Sequence, residues 1–411
     1  MKRIIITAVL AAFLGGSAFG AGDYGTPGEF LNWGAGARSL GMGKAFTGLA
    51  DDSAAIYYNP AGLAIQNPLQ ISLMHVFLFE DTIFDFAAVT YPLQGVGTFG
   101  LAYVRLSSFG FDARDSSWSL LNESFDIAQQ AVIISYAREV FSWMSAGINL
   151  KMIHQTVFDK SGMGFGADLG LLFTPAEYVS FGLNIMNAVP AGIKLDQEQE
   201  AMPIIIKTGV ALKLWGEKVI PVFDMEQELS GKDLKFRAGL EVWPIQQVAI
   251  RAGIDETELT FGLGARWKPY QADYSISIQE LGLTHRVSFG LAFGGFDINL
   301  SAEPKIFSPV GIRKNTTITI YALTKFPIDE WELNIMNEDG DPVRTYSGDD
   351  NPPAMVIWDG KDDRGLPVSD GEYTLQMKVI DKNKNKIESG TDRVKISSSI
   401  PLQPGTIRLE E

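Results

Sequence analysis

Between about Gln70 and Gly294, apolar residues recur at every second position in runs of roughly ten residues bounded by Gly, Pro, Asn or charged turns; the helix period is absent. In the run from Gly164 to Thr174, Phe165, Ala167, Leu169, Leu171 and Phe173 form one face, and Gly164, Gly166, Asp168 and Gly170 the other. Ile204, Ile206, Val210, Leu212 and Leu214 likewise oppose Lys207, Gly209, Ala211 and Lys213, and Phe236, Ala238, Leu240 and Val242 oppose Arg237, Gly239 and Glu241. The same holds for Leu259 to Trp267 against Thr260 to Arg266, and for Val287 to Phe293 against Ser288 to Ala292. About fourteen such strands are predicted, over 70–79, 83–91, 96–106, 125–137, 143–154, 163–174, 178–187, 204–214, 218–228, 233–243, 247–254, 258–268, 271–279 and 285–294.

A soluble sandwich also alternates, but glycine weakens a strand interior and is rare on its polar face. Here the less apolar face is half glycine and alanine, with isolated charges of both signs. That composition predicts an all-β fold, an antiparallel transmembrane barrel with a smooth apolar exterior and a lumen of small residues. Asp168, Lys207, Lys213, Asp224, Arg237, Glu241, Arg251 and Arg266 are the candidate lumen charges, expected to pair because unpaired buried charge is costly. Tyr91, Tyr103, Trp143, Tyr178, Trp215, Trp243, Trp267 and Tyr270 fall near strand ends, as interfacial girdles or as core residues. An even strand count returns the chain to its starting side, where the connections are short; 107–124, 155–162 and 188–203 are expected to be long outer loops.

Lys2 and Arg3 precede the apolar run IIITAVLAAFLGG, which is too short to cross a bilayer as a helix and reads as a secretory signal over 1–20. The sequence has no Cys, so neither a lipid-modified cysteine nor a disulfide framework is expected. With 34 Lys and Arg against 49 Asp and Glu, the formal charge of −15 argues against nucleic acid as a partner.

GARSLGMGKAFTGLADDSAAIYYNPAGLA, from Gly36 to Ala64, has neither the glycine nor the hydroxyl spacing of a phosphate loop, and it precedes the strands. It offers a small-residue helix candidate over Ser39–Leu49, an acidic turn at Asp51 and Asp52, and a turn initiated by Asn59-Pro60 with Gly62 following. This stretch resembles the N-terminal signature of the PorV/PorQ family of FadL-like outer-membrane proteins. The resemblance implies a hatch (21–69) plugging a barrel of about fourteen strands (70–294) in the outer membrane of a Gram-negative-type bacterium. By it, Asn59, Pro60, Ala61 and Gly62 are the hatch turn and possible gate, and Gly36, Arg38, Gly41, Gly43, Asp51 and Asp52 the rest of the signature. The bland alternative is that these residues only fold the plug. Lys44 stands where relatives often carry glycine.

After Gly294 the alternation stops, a linker is placed at 295–304, and shorter, more charged strands follow. Asp339-Gly340 and Asp370-Gly371 are hairpin signals. WELNIMNEDGDPVRTYSG and VIWDGKDDRGLPVSDGEYTLQMKV resemble the FlgD-type Ig-like domain, over about 305–397, with a tail at 398–411. Barrel topology places this module in the periplasm. Asp359, Asp362 and Asp363 read as turn residues, because Lys361 occupies a position where a calcium loop needs an oxygen ligand.

His75, His154 and His285 lie in separate strands without metal-ligand spacing, and neither a Gly-x-Ser-x-Gly elbow nor a cofactor motif is present. No enzyme, cofactor or metal is expected. Two functions remain: a plugged channel binding or passing small hydrophobic molecules, or a carrier of exported proteins of the type IX secretion kind. In the second, the Ig-like module docks a periplasmic partner.

Overall fold

The structure, a computed structural model of the 411-residue chain, describes residues 28–78, 81–114, 119–195, 199–230, 234–256, 258–279, 282–309 and 314–398. The signal segment, the first hatch residues and all but the first residue of the tail lie outside the described residues. The chain divides into two compact units, the first running to Phe293 without Leu93–Val96 and the second comprising Leu93–Val96 and the residues from Gly294 onward.

The first unit is a closed antiparallel barrel of fourteen strands. They are β1 (Leu69–Phe77), β2 (Thr82–Leu93), β3 (Gly97–Arg114), β4 (Leu120–Phe141), β5 (Met144–Val157), β6 (Lys160–Ala176) and β7 (Val179–Val189). A two-stranded ribbon, β8 (Gly192–Lys194) with β9 (Gln199–Ala201), intervenes. Then follow β10 (Ile205–Leu212), β11 (Val219–Glu228), β12 (Lys235–Ile245), β13 (Val248–Asp255), β14 (Glu258–Trp267), β15 (Tyr270–Gln279) and β16 (Gly282–Phe293). Closure runs between β1 and β16, from Leu69 opposite Phe293 to Phe77 opposite His285. Because side chains alternate, this register sends every second residue outward. Phe165 and Leu263 are 66% and 56% exposed while Asp168 and Ser288 are 3% and 6% exposed, so the apolar face is the outer one.

Two expected outer loops are strands instead. β3 and β4 continue their pairing through 107–124, with bulges near Ser108 and Asp112, and leave only residues 115–119 between them. Phe111 stacks on Phe125 at 5.6 Å and Phe125 meets Phe158 at 5.5 Å, so cross-strand aromatic contacts extend a hairpin where Ser, Gly and Asp suggest a loop. β5 and β6 extend likewise through most of 155–162. The 188–203 connection folds into the barrel: its ribbon lies against Gly162, Gly164 and Gly166 on the inner face of β6, burying Ile193 and Met202. Tyr91, Trp143, Tyr178, Trp215, Trp267 and Tyr270 are exposed at the short-turn end of the wall. Trp243 is no girdle residue; it shares the inward parity of Arg237 and Glu241 and lies under the Arg266 guanidinium at 4.3 Å.

The second unit is a β-sandwich. One sheet has β17 (Asp297–Glu303), β19 (Thr316–Leu323) and β22 (Met355–Trp358). The other has β18 (Ile306–Phe307), β25 (Asp392–Ile396), β23 (Gly371–Asp381), β20 (Ile328–Met336) and β21 (Pro342–Asp349), with β24 (Lys386–Glu388) beside β23. The segment read as a linker is thus largely β17, whose alternation buries Ile298 and Ala302 against β19. Gly340 takes φ 87° in the β20–β21 turn, whereas Asp370-Gly371 forms no hairpin: Asp370 accepts hydrogen bonds from Ser398 instead. Trp358, fully buried, meets Phe307 and Tyr373 edge-on at 5.5 and 5.2 Å, so the Trp-Asp-Gly and Asp-Gly-Glu-Tyr ends of the second quoted stretch touch in the core of this module. Asp362 accepts from the amides of Arg364 and Leu366, the work of a turn residue.

Since closure uses only β1 and β16, a chain ending at Phe293 should still run as a heat-modifiable barrel on unboiled gels. In the sandwich, partial burial pushes the Asp392 carboxyl up, but hydrogen bonds from Lys305 and the Ala302 and Arg393 amides hold it below the ordinary carboxylate range. A carboxyl depressed on folding contributes stability above its unfolded pKa and loses it as pH falls through the folded value. The sandwich melting temperature should therefore drop below about pH 4, and Asp392→Asn should flatten that drop.

Candidate functional site: a hatch seated on wall glycines

Residues 28–66 fill the lumen with little regular structure: 3-10 turns at Glu29–Asn32 and Pro60–Ile65, and single α-helical turns at Ala37–Leu40 and Ala55–Tyr58. The helix expected over Ser39–Leu49 stops at Leu40. Gly43 and Lys44 take φ 65° and 59°, left-handed values that break a helix. The backbone groups a helix would have paired are taken by the wall. Asp224 accepts from the amides of Phe46 and Thr47 at 2.9 and 2.8 Å. Ser180 donates to Gly48 O at 2.6 Å, Thr260 to Gly41 O at 3.2 Å, Asn149 to Ile56 O at 2.8 Å and Asn184 to Tyr58 O at 2.8 Å.

These bonds require the hatch backbone to lie almost on the wall backbone, and inward-facing glycines make that possible. A Cβ at Gly100 would stand 2.8 Å from Ile56 Cδ1, at Gly147 2.5 Å from Ala61 N, and at Gly170 2.9 Å from Pro60 Cδ. At Gly209 it would be 2.6 Å from Gly48 N, at Gly239 2.6 Å from Met42 Cβ, and at Gly253 2.8 Å from Met42 Cα. Gly182 faces the Thr47 carbonyl more closely still. At Gly100 the end of the Ile56 side chain can turn aside, but none of the other positions accepts a side chain without displacing the hatch backbone.

Asn59 ties the layers together. It is fully buried and extended (φ −160°), as the following proline requires. Its Nδ2 donates to Thr47 O and to Leu171 O on β6, each at 3.0 Å, while Oδ1 accepts from Ala61 N at 3.2 Å. Pro60 and Ala61 are buried beside it, and Gly62 lies so close to Ala50 that a Cβ would be 2.5 Å from the alanine's own. Gly36 turns at φ 81° beside Ala54, and Gly41 rests on Gly262.

The charges form chains. Arg38 bonds Asp51 (2.6 Å), Asp52 (3.0 Å) and Glu241 on β12 (2.8 Å); Glu241 also accepts from Arg251 (2.6 Å), which reaches Asp273 (2.7 Å). In a second chain Lys44 bonds Asp255 (2.7 Å), Asp255 bonds Arg237 (2.6 Å), and Arg237 and Lys207 share Glu226. Asp168 pairs with Lys151 at 2.6 Å. Arg266 stacks on Trp243, and Lys213 pairs with the exposed Glu217, apart from both chains. Sequence reading missed Lys151, Glu226, Asp255 and Asp273; inward parity alone identifies the first, while Asp255 falls just past an expected strand end.

On the side of the hatch away from the short turns, the wall is apolar along β1–β5, with Met74, Val76, Phe84, Phe86, Val104 and Ile133 facing in. This chamber is occupied by Phe30 and Leu31 from the start of the hatch, with Ile193 and Met202 from the ribbon. Its margin is polar. Arg286, opposite Val76 in the β1–β16 register, is 3% exposed, and its Nη1 and the Ser275 and Ser277 hydroxyls have no hydrogen-bond partner among the described residues. The three histidines face away from the lumen: His75 pairs with Asp85, His154 with Gln130 and His285 with Tyr274.

Residues 312–383 match the family described as FlgD Ig-like domain. Comparison with curated protein sequences finds no match. Among solved structures, the Ralstonia pickettii toluene transporter TbuX is similar with TM-score 0.49 and 15% identity, over 64% of this chain and 99% of that one. The Pseudomonas putida toluene transporter TodX has TM-score 0.46 and 12% identity, over 63% and 96%. A Pseudomonas aeruginosa FadL homologue has TM-score 0.40 and 10% identity, over 62% and 97%.

Gly147→Val and Gly239→Val should unseat the hatch at a cost of about 1–3 kcal/mol, read as faster amide exchange in residues 41–62 with wall strands still protected. Gly290→Ala, whose Cβ would meet nothing nearer than 3.6 Å, should leave exchange unchanged.

Proposed function

We propose that this chain is a plugged outer-membrane barrel of the FadL-like PorV/PorQ type, which binds or passes small hydrophobic molecules when its hatch is displaced. The observation that carries the reading is the apolar chamber behind the hatch, occupied by the chain's own Phe30 and Leu31. Those two side chains are of the size and chemistry of a small hydrophobic ligand. They enter from a hatch segment that forms no strand with the wall, so exchange for a ligand needs no rupture of the barrel's ladder. The unpartnered Arg286, Ser275 and Ser277 groups at the margin suit a ligand carrying one polar atom. The largely apolar exterior supports membrane insertion. In this reading the short-turn end is periplasmic, and the even strand count supports a periplasmic Ig-like unit.

A second reading, a carrier for exported or periplasmic proteins, is favoured by the same filling of the lumen, which a partner-binding barrel has no reason to vacate. The two separate in vesicles. Phe30→Ala with Leu31→Ala should raise uptake of a small aromatic probe several-fold, and Pro60→Gly, by freeing the turn that holds Asn59, should raise conductance. If neither changes while the parent retains a specific protein through purification from native membranes, the carrier reading replaces the channel.

A further inference from the structure

A row of hydrogen-bond donors crosses the outer face of three adjoining strands, where an apolar belt would be expected. Arg105 on β3 is opposite Gln130 on β4, which is opposite His154 on β5, which is opposite Met163 on β6. Tyr103, two residues before Arg105, donates to Gln130 Oε1 at 2.8 Å. That turns the Gln130 amide N–H toward His154 Nδ1 at 3.1 Å, which places the neutral imidazole's proton on Nε2. Arg105 uses Nε to reach Ser107 at 2.8 Å and makes no ion pair among the described residues, which leaves both terminal nitrogens as donors. Tyr103, Gln130, Val132, Met152, His154 and Met163 line a groove of about 250 Å³ in the wall. The row therefore offers one fixed positive charge, an imidazole N–H and an amide on β3–β5 of a chain whose net charge is −15, while the outward carboxylate of neighbouring β2, Asp85, is bonded to His75 at 2.6 Å.

Its height fits an interface. Trp143 belongs to the short-turn girdle, and His154 lies eleven positions further along the chain. At about 3.3 Å per residue and a strand tilt near 40°, that is about 28 Å, just beyond an apolar band about 25 Å tall.

We propose that this row binds the phosphate of a membrane lipid in the leaflet away from the short turns, with the lipid's first acyl carbons in the groove beside Met152 and Met163. The proposal rests on the reading of the barrel as membrane-embedded. Donors side by side on three adjoining strands can each give to a different oxygen of a phosphate, and a guanidinium is suited to hold one.

The test uses the full chain purified in detergent, mixed with bis-phosphorylated lipid A or its dephosphorylated form, and examined by native mass spectrometry. The parent should retain the phosphorylated lipid preferentially. Arg105→Gln with His154→Phe should lower the adduct fraction about five- to tenfold, and Arg105→Gln alone should lower it by part of that, each with unchanged heat-modifiable mobility. Equal retention of the two lipids, or equal retention by parent and folded variants, overturns the site. A parent that inserts into vesicles yet shows no phosphate preference overturns this site alone. A parent that does not insert overturns the membrane reading with it.

Discussion

Contact between two backbones governs this molecule. A hatch that makes no ladder with the wall has to satisfy its amides and carbonyls some other way, and it does so by lying within side-chain reach of Asp224, Ser180, Thr260, Asn149 and Asn184. That reach exists only because the wall presents glycine at Gly147, Gly170, Gly182, Gly209, Gly239 and Gly253, one position per strand on six strands. Each glycine weakens its own strand, so the ring is a concession of wall stability to hatch seating. The glycine-rich inner face and the irregular hatch are two sides of one requirement.

Electrostatics follows from the same closeness. Within a lumen filled by protein, a charge that lost its partner would be costly, and the hatch cations Arg38 and Lys44 each end on a wall carboxylate that is already shared with a wall arginine. Moving the hatch therefore leaves Glu241 with Arg251 and Asp255 with Arg237, so neither carboxylate is stranded. Such sharing lowers the cost of displacement on the wall side and suits a plug that moves.

Alternation made the wall legible: the expected strands 178–187 and 258–268 became Val179–Val189 and Glu258–Trp267, with the expected faces inward and outward. Loops were less legible because Ser107, Gly110 and Asp112 look like turn residues, whereas aromatic contacts between residues distant in sequence keep β3 and β4 paired. The hatch was legible as a motif but not as a shape. Nothing local tells that Met42 rests on Gly239 and Gly253, or that the amides of Phe46 and Thr47 end on Asp224, because each partner lies about two hundred residues away. Trp243 stayed open between girdle and core because an aromatic near a strand end serves either, and its inward parity beside Arg266 decides for the interior.

Seating of the hatch backbone against the wall can be measured directly, since the sequence has no cysteine to interfere. A Cβ at Gly41, whose φ of −67° any residue can adopt, would lie 3.4 Å from Ser275 Cβ on β15, at the short edge of disulfide geometry. Gly41→Cys with Ser275→Cys should cross-link on mild oxidation of intact membranes and give a reducible shift in the mobility of the denatured chain. Absence of that cross-link in a chain that still forms a heat-modifiable barrel would contradict the seated hatch.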